Sequence, residues 1–250
     1  MTSAAPSSTT CATCAARPPR SRRSATPERV SGPAGPRRLR FWQESLLLLL
    51  VAVLVAAVLK AFVVQAFYIP SASMNDTLVL DDRILVEKVS YWGSGAPRRG
   101  DVIVFADPGG WLGRAQTAEP GPVARVLGAA GLYPAGGHLV KRVIGVAGDR
   151  VVCCDPQGRI TVNGGPLDEQ SYLAAGQPPS QVRFDVRVAP GRLWVQGDNR
   201  VASADSRAHL GDPGGGQVPV GEVVGRVVAV VWPLDHARRV ATPPVVRAVR

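Results

Sequence analysis

The sequence predicts a mainly β protein carried on a single N-terminal transmembrane helix. Three features carry that prediction: one apolar run long enough to cross a bilayer, 27 glycines and 22 prolines among 250 residues, and a succession of short β-branched segments beyond the run. One domain of good size fits this length, with extra segments beside it.

Residues 1–40 are Ser, Pro, Ala and Arg with almost nothing to bury, and they read as a disordered basic tail. Residues 1–44 hold eight arginines against Glu28 and Glu44, a net charge of +6, whereas from residue 61 onward 20 basic side chains face 17 acidic ones, a net of +3. Most of the chain's formal charge of +10 therefore sits ahead of the body, and no nucleic-acid-binding face is implied there. Cys11 and Cys14 form a lone C-x-x-C. Zinc takes four ligands, and no second pair or nearby histidine is offered, so no function is expected of this pair.

Residues 41–67 read as the membrane anchor. The apolar run from 45 to 67 spans 23 residues, about 34 Å as a helix at about 1.5 Å per residue. Phe41 and Trp42 suit one interfacial belt, Phe67 and Tyr68 the other, and Lys60 is near enough to an end to snorkel. A cleaved secretory signal has a shorter apolar core near the terminus and a small-residue cleavage site, so retention is favoured. Arg37, Arg38 and Arg40 flank the N-terminal end and Asp76, Asp81 and Asp82 follow the other, which puts the tail in the cytoplasm and residues 68–240 outside it.

The body reads as strands at 83–91, 100–107, 138–146, 148–155, 159–164, 183–188, 192–198 and 221–232, each β-branched and bounded by Gly, Pro or Asp. A mostly antiparallel sheet or barrel-like domain is expected. Residues 108–137 and 165–181 are loop-rich insertions, and 241–250 a C-terminal tail.

Lysine usage gives the first functional signal. Of 29 basic residues only Lys60, Lys88 and Lys141 are lysines, and Lys141 sits among apolar neighbours in "LVKRVIGV" beside an arginine. Lysine can lose its proton where arginine cannot, and burial lowers its pKa toward the range of a general base. The plainer reading is a strand lysine whose head reaches solvent. The segment "PSASMNDTL" (70–78) offers serine hydroxyls just beyond the anchor, and a Ser-Lys pair activates a nucleophile without histidine. His138, His209 and His236 sit in no triad motif, while Ser, Asn and Asp are also ordinary turn formers. "GDNRVASADSR" (197–207) is dense in polar residues and could be no more than an elaborate loop.

Together, "PSASMNDTL", "RGDVIVF", "VKRVIGVAGD" and "GDNRVASADSR" resemble, in order, the bacterial type I signal peptidases, over the anchor and nearly all of residues 67–233. The arginine-rich composition looks actinobacterial. The resemblance implies a membrane-bound serine endopeptidase that removes signal peptides from preproteins after an A-x-A-like site. It makes Ser73 the nucleophile, Lys141 the general base and Ser71 a hydroxyl of the oxyanion hole. It makes Ser203 a hydrogen-bonding support for Lys141, pairs Asp205 with Arg207, and packs Met74 near the site. It implies no cofactor, signal-peptide-bearing preproteins and membrane lipids as partners, no nucleic acid, and a monomer in the bacterial cell membrane near the Sec or Tat translocon. Asp76 and Ala147 stand where the family often has proline, and an Asx-type bond from Asp76 is expected to hold the turn instead. A self-cleaving repressor-type peptidase would need a DNA-binding helix pair, and an inactive scaffold would have lost Ser73 or Lys141. Cys153 and Cys154 are adjacent, leaving free thiols and a vicinal disulfide both open.

Overall fold

The computed structural model describes residues 41–93, 95–113, 137–173, 176–243 and 246. The basic tail with Cys11 and Cys14, most of the 108–137 insertion and most of the 241–250 tail lie outside these residues.

Helix α1 (Phe41–Phe62) is apolar all round and leaves Leu46 to Leu50 exposed. A helix with no polar face is either buried or in lipid, and this one is long and apolar enough to cross a membrane. It ends before the apolar run does. From Val64 the chain is extended and pairs residue by residue with the 83–87 segment, Val64 opposite Glu87 through Tyr68 opposite Arg83. β-Branched Val63 and Val64 favour that change, and the ladder satisfies the backbone that the helix releases.

Among the described residues twelve strands follow in chain order: β1 (Val64–Tyr68), β2 (Arg83–Glu87), β3 (Val102–Ala106), β4 (His138–Gly145), β5 (Arg150–Cys153), β6 (Ile160–Val162), β7 (Gly165–Pro166), β8 (Phe184–Arg187), β9 (Arg192–Gln196), β10 (Val218–Pro219), β11 (Val223–Trp232) and β12 (Arg238–Arg239). Every recorded pairing is antiparallel. The large sheet runs β1-β2-β11-β3-β4-β9-β10, with β12 on β11, and the small one runs β7-β6-β5-β8. All eight expected strands form. The four unexpected ones are β1, concealed in the apolar run, and three two-residue pieces too short to leave a periodic signal.

Strand parity on β4 organises the interior. Val140 packs with Phe67, Ile69, Met74, Ile84 and Val104 on one side. Leu139 and Val143, of the opposite parity, pack with Ile103, Phe105 and Val195 on the other. A third cluster around Trp194, Val151 and Phe184 belongs to the small sheet. Cys153 and Cys154, at the end of β5, are joined to each other.

Ile84 is wholly buried on β2, while its neighbour Arg83 is exposed. Ile84→Ala is expected to lower unfolding stability by about 2–5 kcal/mol, and Arg83→Ala by less than about 0.5 kcal/mol. Urea unfolding of the detergent-solubilised chain, followed by tryptophan fluorescence, checks both; equal losses would contradict the assigned strand faces.

Candidate active site

Beyond β1, Ser71 is extended and Ala72–Met74 makes one short helical turn. The turn is closed by backbone bonds from Asn75 N to Ala72 O (3.1 Å), Thr77 N to Met74 O (3.1 Å) and Leu78 N to Met74 O (2.7 Å). Met74 is buried in the core and fixes the turn from below. Asp76 does not act as expected. Its carboxylate makes no hydrogen bond among the described residues, and it takes a left-handed φ of 78°, which aspartate tolerates and the proline ring forbids. The segment is braced from outside by Arg238, whose guanidinium donates to Asp76 O (3.2 Å) and Thr77 O (3.0 Å).

This turn presents Ser73 to Lys141. Lys141 is 4% exposed and its Nζ lies 2.8 Å from Ser73 Oγ. Ser71 Oγ is 3.2 Å from the same oxygen. The N–H of Ser73 donates to no acceptor among the described residues. Burial pushes the Lys141 ammonium down to about 8; Asp205 and Asp198 pull it part of the way back, and Arg207 adds to the lowering. The plainer reading of a lysine with its head in water does not describe this side chain.

A buried polar frame surrounds the pair. Asp205 receives Arg207 at both oxygens, Nε to Oδ1 at 2.9 Å and Nη2 to Oδ2 at 2.7 Å, and accepts the N–H of Gly197 at 3.0 Å. Burial opposes the charge on Asp205, but Arg207, Gly197 and the Ser203 hydroxyl outweigh it and hold the carboxyl below its usual range. Ser203 is placed differently from expectation. Its buried Oγ makes no hydrogen bond of normal geometry, to Lys141 or otherwise, and lies against Gly197 and Asp205.

Several framing residues escaped sequence reasoning. Arg142 grips Asp198, Nε to Oδ1 at 2.8 Å and Nη2 to Oδ2 at 2.6 Å, and donates to Gly100 O (2.9 Å) and Thr77 Oγ1 (3.2 Å). Arg200 pairs with Glu169 through 3.1 Å and 2.6 Å bonds and donates to Gly197 O (2.9 Å). Asn199 clamps the serine turn: its N–H donates to Ser73 O (3.1 Å) and its Nδ2 to Ala72 O (3.0 Å), while Gln177 donates to its Oδ1 (2.9 Å). The available signal is the polar "GDNR" start of the 197–207 segment, in which the resemblance assigns roles only to Ser203, Asp205 and Arg207. Gly197 leaves room for the clamp: a Cβ there would fall 2.4 Å from Ser73 O and 2.3 Å from Ser203 Oγ.

Ser73 and Lys141 open onto a cleft of about 520 Å³ walled by Phe67, Ile69, Met74, Leu139, Trp111 and Leu112, with Ala202 and Ala204 at its rim. Among the described residues no cluster of three His, Cys, Asp or Glu side chains could hold a metal ion. The arrangement can activate a hydroxyl, with a buried amine in contact and a free N–H beside it.

The family model "Signal peptidase, peptidase S26" matches residues 42–232. Signal peptidase I of Mycobacterium tuberculosis is 39% identical over 220 aligned residues, covering 76% of this chain and 72% of that protein. The probable signal peptidase I of Mycobacterium leprae is 36% identical, covering 82% and 81%. Signal peptidase I of Leptolyngbya laminosa is 34% identical, covering 71% and 73%. The two mycobacterial relatives match the actinobacterial character of the composition.

Removing one partner of a buried bidentate pair strands the other charge. Asp198→Ala, which leaves the Arg142 guanidinium at 1% side-chain exposure without its carboxylate, is expected to cost about 3–5 kcal/mol. The paired variant Asp198→Ala/Arg142→Met is expected to recover part of that loss. Urea midpoints of both variants check this, and a paired variant weaker than the single one would contradict it.

Proposed function

The chain belongs to the signal peptidase family, peptidase S26, serine peptidases that remove signal peptides, and we propose that in this member Ser73 is the nucleophile and Lys141 its general base. The observation that carries this reading is the 2.8 Å contact between Lys141 Nζ and Ser73 Oγ inside a buried site. A hydroxyl is a poor nucleophile until a base takes its proton, and a lysine brought down to about 8 is partly neutral near physiological pH.

In the mechanism, neutral Lys141 accepts the Ser73 proton as the oxygen attacks the scissile carbonyl. The oxyanion is met by the N–H of Ser73 and the hydroxyl of Ser71, which stands 3.2 Å from Ser73 Oγ; one such donor is typically worth about 2.7–4 kcal/mol. Lys141 then returns the proton to the leaving amine, and a water activated by the same lysine hydrolyses the acyl-enzyme. Asp205 and Arg207 keep the loop behind Lys141 in shape.

Substrate recognition follows from sheet edges. β4 is an interior strand over only part of its length: Arg142 to Gly145 pair with β9, whereas His138 to Lys141 pair with β3 alone. That half-edge, with the extended segment at Ser71, suits an extended peptide added as a strand. Helix α1 is the anchor in this reading, residues 1–40 the cytoplasmic tail and 68–240 the extracytoplasmic catalytic body. Ser73 follows the helix by 11 residues, at most about 40 Å of extended chain, which keeps it within reach of a membrane-inserted signal peptide.

Cleavage of a preprotein with an A-x-A site by the detergent-solubilised chain is expected to fall by about three orders of magnitude or more in both Ser73→Ala and Lys141→Arg, because arginine keeps its proton. Variants that cleave like the parent would sink the assignment. The pH profile carries a second expectation. Only the neutral amine accepts a proton, so kcat/KM rises about tenfold per pH unit below about 8 and levels off above it; a flat profile between pH 6 and 9 would contradict the base assigned here.

A further inference from the structure

The cleft has two unlike sides. On the Val140 side stand Phe67, Ile69, Met74 and Val104, all buried and close-packed. On the Leu139 side, the face from which Lys141 also projects, the wall is Trp111 and Leu112, both only half-buried. An extended peptide lying between them sends successive side chains to opposite sides. The shallow, closed side suits the two small residues of an A-x-A site, which share one parity. The residue between them then points at Trp111 and Leu112.

That wall is built with care. The Asp107 carboxylate gathers four backbone donors: Gly109 (3.1 Å), Gly110 (2.9 Å) and Trp111 (2.8 Å) at Oδ1, and Leu112 (3.1 Å) at Oδ2. Gly109 and Gly110 take φ of 145° and 90°, which lets the chain curl around the anion. The loop thereby projects its indole onto His209, ring centroids 4.4 Å apart and planes 4° from parallel, and edge-on to Phe105 at 5.9 Å. His209 Nδ1 is in turn 2.6 Å from Asp212 Oδ2. His209 lies two residues after Arg207, so the segment that carries the Asp205–Arg207 pair also supports the wall.

We propose that Trp111 and Leu112 are specificity-determining residues that read the middle residue of the A-x-A site and favour a large apolar side chain there, with Asp107 and His209 as positioning residues. This rests on the Ser73–Lys141 reading. A flat indole backed by a second ring is a rigid surface, and losing it removes far more contact than the single methylene that already separates substrates by tenfold or more.

The test compares A-x-A preproteins carrying Phe or Ala at the middle position. In Trp111→Ala the ratio of kcat/KM for Phe over Ala is expected to drop about tenfold relative to the parent, with a smaller drop in Leu112→Ala. His209→Ala should lower the ratio in the same direction and His209→Phe, which keeps a flat ring under the indole, should restore it; a role confined to folding would move all substrates together. A ratio within twofold of the parent in Trp111→Ala, or an equal change when the first or third residue is enlarged, overturns the proposal. If the parent cleaves and Ser73→Ala does not, that failure belongs to the wall alone; if the parent cleaves neither substrate, the Ser-Lys reading falls with it.

Discussion

Keeping one lysine dry beside carboxylates that do not neutralise its effect is the constraint on which the rest of this site depends. Lys141 is brought down because it is buried, yet Asp205 and Asp198 are near enough to raise it again. A carboxylate free to turn toward the ammonium would form an ion pair and restore the charge. Each is instead held by an arginine in a two-point grip, Asp205 by Arg207 and Asp198 by Arg142, and Arg207 adds its own repulsion. The only hydrogen-bonding neighbour of the lysine's side-chain nitrogen among the described residues is the hydroxyl of Ser73.

The same segment that supplies the carboxylates also sets the position of the serine. Gly197 gives its N–H to Asp205 and its carbonyl to Arg200, and has no side chain to strike Ser73 O. Asn199 then bonds the serine turn at two successive carbonyls, and Met74 holds it from the core. Displacements of about 1 Å at a reacting group can cost on the order of a hundredfold in rate. A turn clamped by backbone and core on opposite sides resists them, although its own regular structure is a single three-residue helical turn.

How much of this was legible depended on whether a residue's neighbours along the chain reported its environment. Lys141 was exposed as unusual by its scarcity and its apolar flanks, and the eight main strands by their composition. The framing ion pairs were not, because they join residues 56 and 31 positions apart and nothing local marks which carboxylate an arginine will meet. In the sequence Arg142 is only an arginine beside Lys141; in a strand adjacent side chains face opposite ways, and Arg142 is buried in a different set of contacts. β1 was absorbed into the apolar run because a strand that follows a membrane helix shares its hydrophobicity and differs only in β-branching. Motif resemblance found Asp205 and Arg207 as a pair, but it could not show that Ser203 stands off Lys141, since a motif fixes spacing and leaves rotamers free.

The three buried pairs are hard to explain by stability alone. Desolvating two charges costs several kcal/mol per ion, and well-packed apolar replacements are often neutral or stabilising. An apolar frame would still bury Lys141 and lower its pKa, but it would supply neither the donors that hold the 197–207 loop nor the opposing fields that balance the lysine near 8. Burial without nearby carboxylates would push the amine further down, into a range where it is neutral but a weaker base. Carboxylates without their arginines would pull it up, since Asp205 and Asp198 already raise the ammonium and Arg207 opposes them. The paired frame holds the intermediate position between these two failures, and arginine suits it because its charge does not respond to the same burial that tunes the lysine.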